Sequence, residues 1–406
     1  MISVEEHLGR ILQTVRQLPP TECGLLDAQG CVLAEDVTAA VQLPGFTNSA
    51  MDGYAVHAAD LDGASEVDPV VLPVVADIAA GNTNALTLAP GQTMRIMTGA
   101  PLPQGADAVV PVELTDGGVA KVALRSAPAV GQHVREAGED VRAGEVILRA
   151  GALVGPGQVA LLAAAGTARV RVVPKPRVVV LSTGDELVEP GKEPGFGQVV
   201  DSNSVMLVAA ARAVGAAPHR VGGVPDDARQ LTEALEAQLQ RADAIITTGG
   251  VSMGAFDTVK EVLSKVGTVQ FDKVAMRPGM PQGFGVLGAG QVPVFTLPGN
   301  PVSALVSFHV FVAPALRAMA GRPEKAWPPG FVPATAAASW PSVEGKMEFT
   351  RVVLDGDQVR PAGGQGSHML GALAAADALA VVPPEMGRVE EGDELLCLPL
   401  LGTDAP

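Results

Sequence analysis

Carboxylates, hydroxyls, a few cations and glycine-rich loops are the groups in this 406-residue sequence that have chemistry to offer. The most distinctive stretch is Thr247-Thr248-Gly249-Gly250-Val251-Ser252-Met253-Gly254, followed by Asp257. It lies between a run expected to be a parallel strand, Ala244 to Thr248, and an expected helix, Asp257 to Val266. Glycines at such a junction let backbone N–H groups approach an anion, and open α/β sheets bind ligands at the carboxyl ends of their strands. An ordinary strand-to-helix connection is the plain alternative. Two further loops, Ser182-Thr183-Gly184-Asp185-Glu186 and Leu297-Pro298-Gly299-Asn300-Pro301-Val302-Ser303, end expected strands of the same sheet. Each is ordinary by itself; together the three predict the rim of one pocket.

Cations are scarce, with 28 Lys and Arg against 44 Asp and Glu, so their placement is informative. Lys273 and Arg277 are four apart, and a single strand through Val269 to Met276 would turn both to one side. Two positive groups on one face suit a phosphate or oxyanion, and a solvated strand edge fits them equally well. Asp226, in Pro225-Asp226-Asp227, opens an expected helix, where capping accounts for one of the two aspartates. Asn48-Ser49-Ala50-Met51-Asp52-Gly53-Tyr54-Ala55 and Arg95-Ile96-Met97-Thr98-Gly99-Ala100-Pro101 read as turns when taken singly.

Other chemistries are excluded. No two of the six histidines are within four residues of each other, HExxH is missing, and so is GxxxxGK[ST]. Three cysteines without a CxxC argue against a disulfide framework or a Cys-rich zinc site and favour a reducing compartment. A net charge of −16 repels a phosphate backbone or an anionic membrane, and 3% aromatics leave little for base stacking, so no nucleic-acid partner is expected. The start, MISVEEHLGR, has no signal-peptide pattern. The uncharged run Pro278 to Leu316 is cut by prolines, and its longest apolar piece, Val302 to Leu316, is shorter than the roughly 20 residues of a membrane span. A soluble cytoplasmic protein is expected.

The elements that must position these groups follow from periodicity. Ser3 and Glu6 form a capping box before Leu8, Ile11, Leu12, Val15 and Leu18, with Pro19-Pro20 as the stop. From about Val41 to Arg135, short Val-rich runs alternate with turn clusters, which predicts a β-rich module. Between Pro176 and Gly321 strands and helices alternate. The strands are Arg177 to Leu181, Pro218 to Val221, Ala244 to Thr248 and Val292 to Leu297. The helices are Asn203 to Val214, Asp226 to Gln240, Asp257 to Val266 and a last one capped by Asn300 with Pro301 at its first position. This pattern predicts an open, mostly parallel sheet covered on both faces. After Trp327-Pro328-Pro329-Gly330 come short β runs, among them Phe349 to Leu354 and Leu379 to Val382.

NSAMDGYA, RIMTGAPLP, STGDEL, TTGGVSMG with Asp257, and LPGNPVSA, in that order and spacing, resemble the molybdopterin molybdenumtransferase family (MoeA and the gephyrin E domain). The resemblance covers essentially the whole chain. It implies a multidomain α/β fold in four domains. These are a split elongated domain (1–42 plus 137–173), an inserted β-rich domain (43–136), an α/β molybdopterin-binding domain (174–325) and a C-terminal β-barrel (326–406). It implies insertion of molybdate into adenylyl-molybdopterin with loss of AMP, and a homodimer whose cleft joins the α/β domain of one chain to the amino-terminal half of the other. A molybdopterin adenylyltransferase is the implied supplier of substrate.

By the same resemblance Lys273, Arg277 and Arg351 hold phosphate or molybdate, and Thr98 and Ser367 supply hydroxyls. Asp52, Glu186, Asp226 and Asp257 are the acidic positions, and carboxylates beside phosphates call for a divalent cation, Mg²⁺, between them. The pterin-binding loops would contribute Thr183, Gly184, Gly249, Gly250, Ser252, Gly254, Pro298, Gly299, Asn300, Pro301 and Ser303. Many members carry Lys where this chain has Arg277 and Met280. Arg keeps the charge and binds oxyanions bidentately, whereas Met280 removes a cation. Two other readings, an adenylyltransferase acting on molybdopterin and a non-catalytic dimeric scaffold, are opposed by the segments flanking the α/β domain and by the set of carboxylates.

Overall fold

Ser3 starts the first helix as its sequence predicts. Its hydroxyl accepts the Glu6 N–H at 3.1 Å, and α1 (Val4–Thr14) buries Val4, Leu8 and Ile11 on one side. The helix ends at Thr14, well before Pro19-Pro20, because Val15 turns into an extended conformation. The computed structural model describes residues 1–249, 256–322 and 330–400, apart from the side chains of 256–258 and 266. The chain forms two compact units, one made of Cys23–Gln29 and Glu35–Val170, the other of the remainder.

The first unit carries the expected β-rich module. Its strands are β1 (Gly53–Val56), β2 (Val70–Ile78), β3 (Thr93–Ile96), β4 (Ala108–Pro111) and β5 (Lys121–Leu124), in the spatial order β4-β1-β3-β2-β5. Side chains alternate across the sheet, so Tyr54, Val56 and Val110 enter one core while Ala55, Ile96 and Val109 enter another. Both faces of β1 are therefore covered.

The second unit holds the α/β sheet. Its strands are β6 (Arg177–Thr183), β7 (Ala217–Val224), β8 (Ala244–Thr248) and β9 (Gln270–Lys273), then, after a short β10 (Met276–Arg277), β11 (Pro281–Leu287) and β12 (Val292–Leu297). The order is β7-β6-β8-β12-β11-β9, with the first four parallel and the last two antiparallel. Helices α2 (Ser202–Ala213), α3 (Ala228–Leu239), α4 (Phe256–Val266) and α5 (Pro301–Met319) cover it. Val178, Val180, Ile246 and Phe295 pack with α1, α2 and α5; Val179, Leu181, Ile245 and Val294 pack with α3 and α4. The same strands thus feed two cores, as β-branched runs buried on both faces must.

Two features differ from the sequence expectation. Pro281–Leu287, absent from the expected strands, is a full strand; its ladder to β12, Gly283↔Thr296 through Leu287↔Val292, outweighs weak local propensity. The run from Val269 to Met276 is not one strand. β9 belongs to the α/β sheet, while β10 pairs in parallel with a strand of the following domain. The last helix runs through to Met319, close to the end that Gly321 and Pro323 lead one to expect. Pro314 has no N–H to give, and a π-helical turn over Phe308–Val312 lets the helix continue past it. Among the described residues α5 is the one helix long and apolar enough to cross a membrane, yet 78% of that apolar window is buried within the fold. It is the central helix of the core.

Beyond it, β13 (Val332–Ala336), β14 (Met347–Asp355), β15 (Gln358–Pro361), β16 (Ala378–Val382) and β17 (Glu394–Pro399) close into a five-stranded barrel. The circuit runs β14-β15-β13-β17-β16 and returns to β14. Ala336, Val352, Ala380 and Leu395 are among the residues filling it. β10 lies on β14 with Arg277 opposite Glu348.

Candidate active site

The three glycine loops meet. A pocket of about 260 Å³ opens at the carboxyl ends of β6, β8 and β12. Thr183 and Glu186 line it from the first loop, Thr248 and Gly249 from the second, and Gly299, Asn300 and Pro301 from the third. Gly249 has φ +94°, and a side chain there would bring Cβ within 2.3 Å of the Thr183 carbonyl oxygen, so the two loops touch only through glycine. Thr248 Oγ1 donates to the Pro298 carbonyl at 3.2 Å. Gly184 N–H donates to the Val224 carbonyl, which ties the first loop to β7. The Thr183 hydroxyl is buried on a residue that lines this pocket and has no hydrogen-bond partner among the described residues. Gly250, Ser252 and Gly254 lie outside the described residues, as does the side chain of Asp257, whose backbone begins α4.

Two polar residues that sequence reasoning missed organise the pocket floor. Asn203 donates through Nδ2 to Thr248 Oγ1 (3.1 Å) and to the Gly299 carbonyl (2.6 Å), bridging two of the loops. Asp201, 2% exposed, caps α2 and accepts from Ser182 Oγ at 2.7 Å, Ser204 Oγ at 2.5 Å and Arg220 at 3.0 Å. Burial pushes its carboxyl up, but hydrogen bonds from Ser204, Ser182 and Arg220 outweigh this and hold it below the usual range. Arg220 also grips Glu189 at 2.6 Å. Asp-Ser-Asn before a helix carries a capping signal only, so the network was invisible in the sequence.

The carboxylates fall into two groups. Asp226 N–H donates to Asp185 Oδ1 at 3.1 Å, and Asp226 Oδ1 is buried with no partner among the described residues. Its pKa is raised, first by burial and then by the negative charges of Asp185 and Glu186. Capping does not explain it, since Asp227 is the residue that accepts Gln230 N–H at the start of α3. An orphaned carboxylate oxygen beside two more acids suits a hard cation. Among the described residues no three His, Cys, Asp or Glu side chains make a ready cage, and Mg²⁺ needs none where one or two carboxylates act with substrate phosphates. Asp52 belongs to the other compact unit, where both the N–H and the hydroxyl of Thr98 donate to its Oδ1. The two stretches that read separately as turns are joined there.

A second pocket, of about 270 Å³, is lined by Arg277, Pro278, Gly279, Ser303, Glu348 and Ser367, among others. The three expected cations stand in different surroundings. Arg277 is not free: its guanidinium is 3.6 Å from buried Glu348, whose other oxygen accepts from Ser342 Oγ and Val343 N–H. Lys273 lines neither pocket, because the chain leaves the α/β sheet between β9 and β10 and the supposed shared face does not exist. Arg351 is 1% exposed and spends its guanidinium on the Gly364 and Gly366 carbonyls, at 2.6 and 3.0 Å. It shapes the loop that presents Ser367 rather than lining the cavity itself. That loop is fastened to α5 by the Val302 N–H, which donates to the Ser367 carbonyl. Met280, beside Gly279, is partly buried and does not line the pocket. A third cavity, of about 550 Å³, is apolar and contains none of the residues expected to act.

Comparison with known proteins agrees along the chain. Residues 2–166 match the MoeA N-terminal region (domain I and II), 179–318 a probable molybdopterin binding domain, and 333–400 the MoeA C-terminal region (domain IV). Molybdopterin molybdenumtransferase 2 of Mycobacterium tuberculosis is 46% identical over 403 residues, 97% of this chain and 98% of the relative. The Haemophilus influenzae molybdopterin molybdenumtransferase is 36% identical, with 98% of each chain covered. A solved molybdopterin biosynthesis MoeA protein from Pyrococcus horikosii superposes with a TM-score of 0.80 at 31% identity, over 99% of this chain and 100% of that one.

Proposed function

The chain belongs to the molybdopterin molybdenumtransferase family, and from that premise we propose that it transfers molybdate to adenylyl-molybdopterin with release of AMP. One observation carries this reading. The amino-terminal turn of α5 separates two polar pockets, with Asn300 and Pro301 facing the first and Ser303 the second. A substrate with a pterin-phosphate part and an oxyanion that must meet it requires two adjoining sites. The positive end of a helix between them favours both anions.

In the first pocket the unpartnered Thr183 hydroxyl and the glycine loops receive the pterin and its phosphates. In the second, Arg277 supplies charge and Ser303 and Ser367 supply hydroxyl donors to the oxyanion. Mg²⁺, when bound, offsets the charge of the leaving AMP phosphate. Asp226 and Glu186 are the carboxylates that would hold it, with Asp257 and Asp52 as further acidic positions. Asp185 fastens the Asp226 backbone through its N–H, and the Asp226 Oδ1 is buried and has no hydrogen-bond partner among the described residues. Lys273 and Arg351 serve the site indirectly, from a strand edge and from behind the Ser367 loop.

The working form in this reading is a homodimer, in which the Asp52–Thr98 pair of one chain completes the cleft of a second copy. The four-domain partition above is part of the same reading, as are a cytoplasmic location and an upstream molybdopterin adenylyltransferase. The test is to incubate purified protein with adenylyl-molybdopterin, Mg²⁺ and molybdate and to follow AMP. Molybdate-dependent AMP release is expected; AMP release indifferent to molybdate, or none, overturns the proposal.

A further inference from the structure

We propose that Gln282 is a positioning residue of the oxyanion pocket, holding the Arg277–Gly279 turn against α5. Gln282 is 2% exposed on β11. Its Nε2 donates to the Gly279 carbonyl at 2.6 Å and to Ser307 Oγ at 2.6 Å. Ser307 is fully buried on α5, one helical turn after Ser303, so the two serines share a face of the helix. One lines the oxyanion pocket; the other receives Gln282. The backbone at Gly279 lies hard against this helix: it has φ +95°, and a Cβ there would be 2.9 Å from Ser307 Oγ. A single buried amide therefore sets the distance between the turn that carries Arg277 and the helix that carries Ser303.

An apolar side chain in its place leaves the Gly279 carbonyl without a donor in a dry environment, and the turn must shift to find one. Arg277, two residues away and with its side chain at the pocket mouth, shifts with it. The inference rests on the reading of this pocket as the oxyanion site, and the experiment separates the two.

Gln282→Met and Ser307→Ala are made in the wild-type and Arg277→Ala backgrounds. Molybdate-dependent AMP release, molybdate binding by calorimetry and the thermal midpoint are measured. In Gln282→Met the half-saturating molybdate concentration is expected to rise roughly five- to tenfold, with a smaller change in kcat and none in the KM for adenylyl-molybdopterin. Ser307→Ala should give a weaker shift of the same sign. In the Arg277→Ala background neither change should matter, because Gln282 acts through that cation. A folded Gln282→Met protein with unchanged molybdate response, or with an equal shift in both backgrounds, overturns the proposal. Should the Met variant not fold, Gln282→Asn, whose amide is too short to reach both acceptors, decides by the same criteria. If wild-type protein binds molybdate without releasing AMP, the insertase reading falls while calorimetry still judges Gln282. If it does neither, both fall.

Discussion

Asp52 and Thr98 are 46 residues apart and share two hydrogen bonds, the Thr98 N–H at 2.7 Å and its hydroxyl at 2.8 Å from the same carboxylate oxygen. These bonds, backbone first, hold the Asp52 carboxyl below its usual range although it is exposed. Its second oxygen remains available. A carboxylate kept ionised and aimed outward is what a site completed by another molecule would display.

Asp52→Ala is accordingly expected to reduce AMP release at least about 100-fold with a modest fall in thermal midpoint, since the exposed group contributes its two bonds to Thr98 and no packing. Asp257→Ala should be similarly inactive. Mixed dimers of the two variants should recover part of the activity, because one of the two clefts is intact. No recovery in heterodimers shown to have formed would place both residues in a single chain's site. The Asp52–Thr98 bonds stabilise the loop above the ordinary aspartate pKa, near 3.9, and are lost as pH falls through the lowered native value.

Asp226 behaves in the opposite sense. Its native pKa is raised, so its contribution to stability is full below the unfolded value and is lost as pH rises through the native one. Asp226→Asn should therefore leave metal-free protein equally or more stable at pH 7, by about 1 kcal/mol or less given its partial exposure. The wild-type thermal midpoint should rise on adding Mg²⁺, and that rise should shrink in the Asn variant. An equal Mg²⁺ response in both would remove Asp226 from the metal site.

The buried Asp201 network makes a third case. Asp201→Asn keeps the shape and removes the charge that Arg220 and two serines address, which should cost about 2 kcal/mol in urea unfolding. With the native pKa lowered, the stability due to Asp201 is present above about pH 4 and disappears as acid titrates the folded protein. The Asn variant should lack that acid-side loss, which unfolding curves between pH 3 and pH 7 would reveal.

Met280, where the family resemblance leads one to expect Lys, is next to the turn that bears Arg277 but off the pocket lining. A lysine 4 Å from an oxyanion gains roughly 4 kcal/mol at an effective dielectric of about 20 before desolvation. Partial exposure reduces this to about 1 kcal/mol or less. Met280→Lys should thus lower the half-saturating molybdate concentration several-fold at most, and added salt should erase the gain. A fall in thermal midpoint with no molybdate effect would instead mark Met280 as a packing residue.

What could be read from the sequence was what depends on neighbours along the chain. Ser3 and Glu6 set the start of α1, Asn300 and Pro301 the start of α5, and strand–helix alternation the mostly parallel sheet. The convergence of the Gly184, Gly249 and Gly299 loops also followed, because parallel strands with helical crossovers must bring their carboxyl ends to one edge.

What the tertiary structure decided was which distant partner each group meets. Lys273 and Arg277 separated because hydrogen-bond ladders assigned their strands to different sheets. Arg351 turns two of its guanidinium nitrogens to the Gly364 and Gly366 carbonyls, 13 and 15 residues further along the chain. Asp52 found Thr98, and Asp201 found Arg220, across 46 and 19 residues. Cap and turn preferences act over a few residues, and the hydrophobic pattern records only which face is buried. The identity of the partner on that face is set by strand register and packing, which a one-dimensional pattern does not encode.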